Sequence, residues 1–173
     1  MKALPYSLTL LALVAACATP ADTPRVELSD VGFVLHLPPA MQQALDGFAP
    51  GFRPVRTTSF RSDVSQAAAA SGSSSSSAVF AAVGDFDHDG TIDAVIEGAT
   101  PGSSALQVIA IMNGKTPAAV EVTRFAEYDA DAVGIYLVNP PKGTDGAFEV
   151  VAYPDSTVLY HYKDGAFQGA VVR

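Results

Sequence analysis

The 173 residues give room for one ordinary globular domain, and 49% of them are hydrophobic, which is enough to form a buried core. The formal net charge of −8 argues against a nucleic-acid partner, because affinity for nucleic acid comes largely from lysine and arginine side chains that neutralise phosphates. Composition therefore indicates an acidic globular protein and excludes a basic, phosphate-binding surface.

The N-terminal residues predict export. Lys2 provides a positive start, residues 8–16 are mainly apolar, and the apolar stretch is too short to cross a bilayer. The sequence Val14-Ala15-Ala16-Cys17 resembles the lipobox of bacterial lipoproteins, which implies that residues 1–16 are a signal peptide and that Cys17 carries a lipid. Since Cys17 is the only cysteine, an intramolecular disulfide is excluded. The alternative is ordinary secretory cleavage nearby, which would leave a free thiol.

The lipobox resemblance sets the expected domain organisation. Residues 17–25 would form a lipidated tether, and residues 26–173 would form a single β-rich domain. Removal of residues 1–16 takes away Lys2, so nine basic residues remain against eighteen acidic ones and the formal charge becomes −9. The expected location is a bacterial membrane, either the outer membrane facing the periplasm or the cell surface, with the lipid as the anchor.

The first elements of the expected domain are a strand and a helix. Residues 31–37 have the β-branched and aromatic content of a strand, and the prolines that follow end it. Pro39 can open a helix because its missing N–H costs nothing in the first turn. The helix would end at Ala49-Pro50-Gly51, and its apolar stripe is expected to pack on a sheet in preference to forming a partner groove. The stripe consists of Met41, Ala44, Leu45 and Phe48.

Residues 63–77 form a low-complexity segment of alanine and serine. This composition offers little apolar surface to bury and predicts a flexible surface loop. The segment could alternatively link two domains. Because residues 25–62 are too few to bury a core of their own, we expect it to interrupt one domain.

The remainder of the chain is rich in predicted strands. Asn113-Gly114 and Asp164-Gly165 favour tight hairpin turns, so the strands should form an antiparallel meander. Residues 92–112 are almost continuously apolar, which indicates strands covered on both faces, and the early helix is the expected cover. The expected fold is therefore strand-rich α+β, with one N-terminal helix packed on the meander and a calcium loop between two strands. The predicted strands are 78–84, 92–97, 105–112, 118–125, 132–138, 147–153, 156–163 and 166–172.

The calcium loop is predicted from four aspartates. Asp85, Asp87, Asp89 and Asp93 stand at loop positions one, three, five and nine, and Gly90 at position six permits a sharp turn. Calcium is a hard cation that takes six to eight oxygen ligands at about 2.3–2.6 Å, and a tight loop turns alternate side chains inward around it. Four nearby carboxylates repel one another, and a bound cation relieves that repulsion. The alternative is a solvated Asp-Gly-rich hairpin without metal.

The loop resembles the calcium loops of FG-GAP and VCBS-type repeats, which read Asp-x-Asp-x-Asp-Gly-x-x-Asp between two strands. The resemblance covers residues 83–95, and an EF-hand is disfavoured because its position-twelve glutamate is replaced by Ile96. Such repeats usually occur several at a time in a propeller, whereas this chain has one loop and too few strands to close one. The ligands that the resemblance implies are the side chains of Asp85, Asp87, Asp89 and Asp93 and the carbonyl of Thr91.

Other polar residues fit no recognised catalytic set. The acidic run Glu127, Asp129 and Asp131 lacks a glycine and the loop spacing, so a solvated turn is expected. The histidines lack the spacing of zinc ligands, and neither a nucleophile elbow nor a phosphate-binding loop is present in the sequence. The three histidines are His36, His88 and His161.

These observations lead to three functional hypotheses. The first is a non-enzymatic, calcium-stabilised envelope lipoprotein that acts as a structural or interaction module with an unidentified envelope partner. The second is a calcium-dependent hydrolase of the cell envelope, which would need a cavity with a poised acid near Glu97, Glu127 or Asp131. The third is a calcium sensor or buffer, which a single loop outside the cytoplasm suits poorly.

Overall fold

The computed structural model describes residues 22–30, 32–70, 77–127, 129, 131–138 and 146–172. Within these residues the chain is strand-rich, with two α-helices and antiparallel sheets. This confirms the coarse expectation of a strand-dominated α+β fold. Cys17 and the expected signal peptide lie outside the described residues.

The described chain opens with a two-stranded hairpin. Strand β1, Arg25–Ser29, pairs antiparallel with β2, Gly32–His36. One strand was expected here, at residues 31–37, and Arg25 was expected to belong to the tether, so β1 was not predicted. The error has a physical cause: with charged side chains at Arg25 and Glu27, β1 lacks the apolar content by which a strand is recognised.

Helix α1, Pro39–Phe48, follows the hairpin. Pro39 occupies its first turn, and the N–H of Ala49 donates to the carbonyl of Leu45 at its end, over 2.8 Å. The helix packs against the sheet strands at residues 106–112 and 118–125 and buries Met41 and Leu45 there. Phe48, which the sequence placed on the apolar stripe, is 46% exposed.

A second helix, α2, Ser62–Ala70, contradicts the expected loop over the first part of residues 63–77. Alanine is the best helix former, so four consecutive alanines favour a helix wherever a neighbour can cover one face. Val64 and Ala68 stand four residues apart and are buried, with relative exposures of 0% and 1%. The prediction was wrong because it was based on the small apolar area of the alanines and left out their high helix propensity.

The larger sheet has six strands. Its main path runs β4-β5-β6-β7-β8, and β3 pairs with the far end of β6. The predicted strand 78–84 is divided by a turn at residues 79–80. Every residue of β7 is buried, as are the first six residues of β6. The strands are β3, Arg53–Pro54; β4, Ser77–Ala78; β5, Ala81–Gly84; β6, Asp93–Ala99; β7, Leu106–Met112; and β8, Ala118–Phe125.

A second, four-stranded sheet follows in the order β12-β11-β10-β9. The single meander that we expected is therefore divided between two sheets. The physical reason lies in β6 and β7: side chains on both of their faces are buried, and one early helix can cover only one face. The strands are β9, Ile135–Val138; β10, Ala147–Ala152; β11, Ser156–Lys163; and β12, Ala166–Val171.

The two predicted hairpin turns differ. Asp164 and Gly165 have φ angles of 53° and 84° and connect β11 to β12 directly, as expected for a two-residue turn. Asn113-Gly114 instead lies in the longer connection 113–117 between β7 and β8, and neither residue has a positive φ. The tight-turn prediction was wrong there, because the backbone at Asn113 is held by the aspartate loop described below.

The side chains form two cores, one on each face of the six-stranded sheet. The first core lies between that sheet and the helices, and it contains Met41 and Val64. The second core lies between the two sheets. Among the described residues, neither helix is long and apolar enough to span a membrane. The buried residues of the second core are Ala82, Phe86, Val95, Val108, Ala110, Met112, Leu137, Phe148 and Val150.

Candidate metal centre

The aspartate loop connects β5 to β6 at one end of the six-stranded sheet. Gly90 has a φ of +87°, a left-handed conformation that favours glycine, in agreement with the sharp turn expected at loop position six. His88 also has a positive φ, of 62°, and its side chain is exposed. Its imidazole lies against the backbone of Gly146, where a Cβ would collide with it. The loop thus touches the second sheet beside β10.

Three of the predicted ligands lie together. Asp85, Asp87 and Asp89 each offer a carboxylate oxygen, and these oxygens all lie within 4.8 Å of one another. Asp85 and Asp87 are half-buried and Asp89 is exposed, so the cluster opens to solvent on one side. Carboxylate oxygens are the ligands that hard divalent cations prefer. The three aspartates can therefore hold a metal ion.

Backbone N–H groups of the loop hold the carboxylates in place. The N–H of Asp89 lies 3.1 Å from Oδ1 of Asp85 and 3.1 Å from Oδ1 of Asp87. The N–H of Gly90 donates to the other oxygen of Asp85 over 3.0 Å. These donors offset part of the repulsion between the negative charges and hold the carboxylates of Asp85 and Asp87 in position.

Thr91 positions Asp89. Its N–H donates to Oδ1 of Asp89 over 2.8 Å, and its hydroxyl lies 2.6 Å from the same oxygen. The hydroxyl also lies 2.6 Å from the carbonyl oxygen of Asn113. Because the hydroxyl has one proton, the two oxygens compete for it. The hydrogen bonds from Thr91 lower the pKa of Asp89, so this carboxylate is held in its charged form.

Asp93 occupies a different position from the other three aspartates. It is fully buried at the start of β6 and lies outside the cluster. Oδ2 accepts the N–H of Phe86 over 2.9 Å, and Oδ1 accepts the N–H of Asn113 over 2.7 Å. Burial raises the pKa of Asp93 to about 6. In this geometry Asp93 joins the loop to the β7–β8 connection, and its role as a metal ligand stays a prediction.

Two residues of this centre were missed by the sequence analysis. Asn113 was assigned only to a turn, yet its backbone binds both Asp93 and Thr91. Phe86 is 2% exposed, and its ring meets Phe148 edge-on at a centroid distance of 5.2 Å. Its position between two aspartates gave one usable signal, since a phenylalanine in an acidic loop needs an apolar site to cover it. The sequence offered no signal for Asn113, because its partner is twenty residues away.

Comparisons with protein-family models, with curated proteins and with solved structures find no match to this chain. The resemblance to FG-GAP and VCBS-type repeats therefore depends on the loop sequence alone and stays a prediction.

The remaining predicted polar residues do not join the aspartate cluster. His36 lies 3.1 Å from a carboxylate oxygen of Glu27, at the open end of the β1–β2 hairpin. The hydrogen bond from Arg25 holds the pKa of Glu27 below its ordinary value. His161 is exposed on β11. Among the described residues, the histidines therefore provide nothing that resembles a zinc site.

A groove of about 650 Å³ lies at the other end of β7, between the end of β8 and the start of β9. Glu127 and Asp129 line it, whereas Asp131 and Glu97 do not. The hydrolase hypothesis needed a carboxyl group with a raised pKa beside a cavity. Glu97 has such a pKa because it is buried, but it lies in the interior of the sheet packing.

Proposed function

We propose that this protein is a calcium-binding, membrane-tethered envelope lipoprotein that acts as a non-enzymatic structural or interaction module. The observation that carries the calcium part is the convergence of Asp85, Asp87 and Asp89 within 4.8 Å, on a loop whose N–H groups already hold them. Calcium suits this site better than magnesium, because calcium accepts irregular oxygen ligands while magnesium demands near-ideal octahedral geometry.

The site's surroundings support a structural role for the cation. Through Asp93 the loop binds the β7–β8 connection, and through Phe86 it is anchored between the two sheets. A cation that orders the loop would therefore stabilise contacts well beyond it. With a dissociation constant of about 10⁻⁴ M, typical of extracellular modules, millimolar calcium would keep the site filled. At ten times that constant, occupancy stabilises the fold by about 1.4 kcal/mol.

Substitution of Asp87 by alanine tests the metal site. The melting temperature of the wild type should rise in calcium relative to chelator, by several degrees for a stabilisation of this size. Asp87→Ala should lose this response, because one of three clustered carboxylates is gone. The control is Asp46→Ala, which removes the same charge from an exposed position on α1. If wild-type melts are identical in calcium and chelator, structural calcium is ruled out.

The tether is a separate part of the proposal and depends on the sequence around Cys17. Metabolic labelling with a fatty acid in a bacterial host should label the full chain, and Cys17→Ser should abolish the label because the acceptor thiol is lost. Unlabelled wild type, or equal labelling of the variant, would contradict lipidation. Capture of partners from envelope extracts by the tethered protein would then address its role as an interaction module.

A further inference from the structure

Glu97 is a buried acid that the proposed calcium function does not use. It lies in β6, and its side chain is 0% exposed. Neither carboxyl oxygen has a hydrogen-bond partner among the described residues. Its backbone is fully engaged: the N–H donates to the carbonyl of Phe80 over 2.9 Å, and the carbonyl accepts the N–H of Val55 over 3.1 Å. The residue is thus fixed in the sheet with an unsatisfied carboxyl group.

The carboxyl group faces the second sheet. Val108 is the cross-strand partner of Glu97, and paired residues in an antiparallel sheet project to the same face. Val95, two residues earlier in β6, shares that face as well. Both valines belong to the core between the two sheets, with relative exposures of 0%. Glu97 therefore places a carboxyl group in an apolar interface that joins the two halves of the fold.

Among the described residues, the strands packed against β6 place no cationic side chain beside Glu97. Strands β5 and β7 carry no titratable side chain. On the other two strands packed against β6, Arg53 of β3 is exposed and Tyr136 of β9 belongs to the first core. Desolvation alone raises the pKa of Glu97 well above its ordinary value of 4.5. Among the residues that the structure describes, the titratable groups that share the inter-sheet face are Asp93 on β6 and Tyr160 and Tyr162 on β11. Glu149 and His161 alternate with core residues and face away.

We propose that the protonation state of Glu97 controls the packing of the two sheets against each other. The sheets stay packed while its carboxyl group is neutral and separate when it ionises. A neutral carboxylic acid can remain in an apolar core at moderate cost, whereas an unpaired carboxylate cannot. Separation of the sheets would expose the apolar faces of both. Glu97 lies apart from the three clustered aspartates and acts without metal, so this role is independent of the proposed calcium function.

The sign of the pH dependence follows from linkage. Because folding raises the pKa of Glu97, its contribution to stability is fully present below the ordinary value of 4.5 and is lost as pH rises through the value in the folded protein. Between those limits the folding constant of the wild type, relative to Glu97→Gln, should fall about tenfold for each pH unit. Asp93 also contributes to the pH dependence, but it is present in both proteins and cancels in the comparison.

The test compares the full chain with Glu97→Gln and Glu97→Leu in the presence of calcium chelator, from about pH 5 to pH 9. Chemical denaturation gives the folding constants. Binding of an apolar dye, with the far-ultraviolet circular dichroism retained, shows that the sheets have separated while their strands remain folded. The control is Glu121→Gln. Glu121 lies on the opposite face, where Arg124 and then Gln107 donate to it and lower its pKa, so this variant should leave the wild-type trend at alkaline pH unchanged.

We expect dye binding by the wild type and by Glu121→Gln as pH rises, and its absence in both Glu97 variants. The leucine variant decides the question if the glutamine variant does not fold, because its apolar side chain suits the core. If the folding constants of the wild type and of the Glu97 variants depend equally on pH, the proposal is wrong. It is also wrong if an NMR titration of the Glu97 carboxyl carbon in the wild type shows this group ionising near its ordinary pKa while the sheets stay packed.

Discussion

Replacement of Phe148 by alanine is expected to destabilise the protein by about 3–5 kcal/mol, the usual cost of removing a fully buried aromatic side chain. Phe148 is 0% exposed in the core between the two sheets. Its ring meets Phe86 at 5.2 Å, Phe167 at 5.5 Å and Tyr160 at 5.6 Å between centroids. One ring thus contacts the aspartate loop and two strands of its own sheet, and alanine would leave a cavity that no single neighbour can fill.

Chemical denaturation measures this effect, and Phe48→Ala is the matched control. Phe48 is 46% exposed on α1, so the same substitution there should change the free energy of unfolding by less than about 1 kcal/mol. Phe148→Ala should also weaken calcium binding, because Phe86 loses the ring that anchors the loop. Equal losses of stability in the two variants would show that the inter-sheet core does not hold the fold together as described.

Replacement of Asp93 by alanine is expected to destabilise the protein by about 2–4 kcal/mol, even without calcium. The carboxyl group accepts the N–H groups of Phe86 and Asn113, and alanine leaves both donors unsatisfied at a cost of about 1–3 kcal/mol each. The cost is partly offset because the variant no longer buries a carboxyl group.

Asp93→Asn separates the two roles that Asp93 can have. Its amide oxygen can accept one N–H, but its NH₂ group would face the other donor, so an intermediate loss of stability is expected. Denaturation in chelator measures the structural role, and the calcium response of each variant measures any metal contact. A loss below about 0.5 kcal/mol for Asp93→Ala would contradict the role assigned to these two hydrogen bonds.

The strands from β5 onwards were largely predictable, because short apolar runs are separated by recognisable turn residues. The expected strand 147–153 is present as β10, and Asp164-Gly165 forms the expected turn. The division into two sheets was not predictable in the same way. Strands such as β7, apolar on both faces, require two covering layers, but their sequence does not say whether helices or another sheet supply them.

For the candidate site, the sequence predicted the three aspartates that converge and the glycine at the turn. These residues are local, and their spacing alone fixes which side chains can meet. The sequence did not predict that Asp93 would bind Asn113, because that contact depends on the register between β6 and β7. The burial of Glu97 was also missed, since a charged residue in an apolar strand is ordinarily expected at an edge or on an exposed face.

Calorimetric titration with calcium shows whether Asp85, Asp87 and Asp89 hold the ion, as their convergence within 4.8 Å leads us to propose. The metal-free wild type is titrated together with Asp87→Ala and Asp46→Ala. We expect one calcium per chain in the wild type and in Asp46→Ala, with a dissociation constant near or below about 10⁻⁴ M, and at least tenfold weaker binding in Asp87→Ala. If the wild type does not bind calcium at millimolar concentration, or if Asp87→Ala binds it equally well, the three aspartates are not a calcium site.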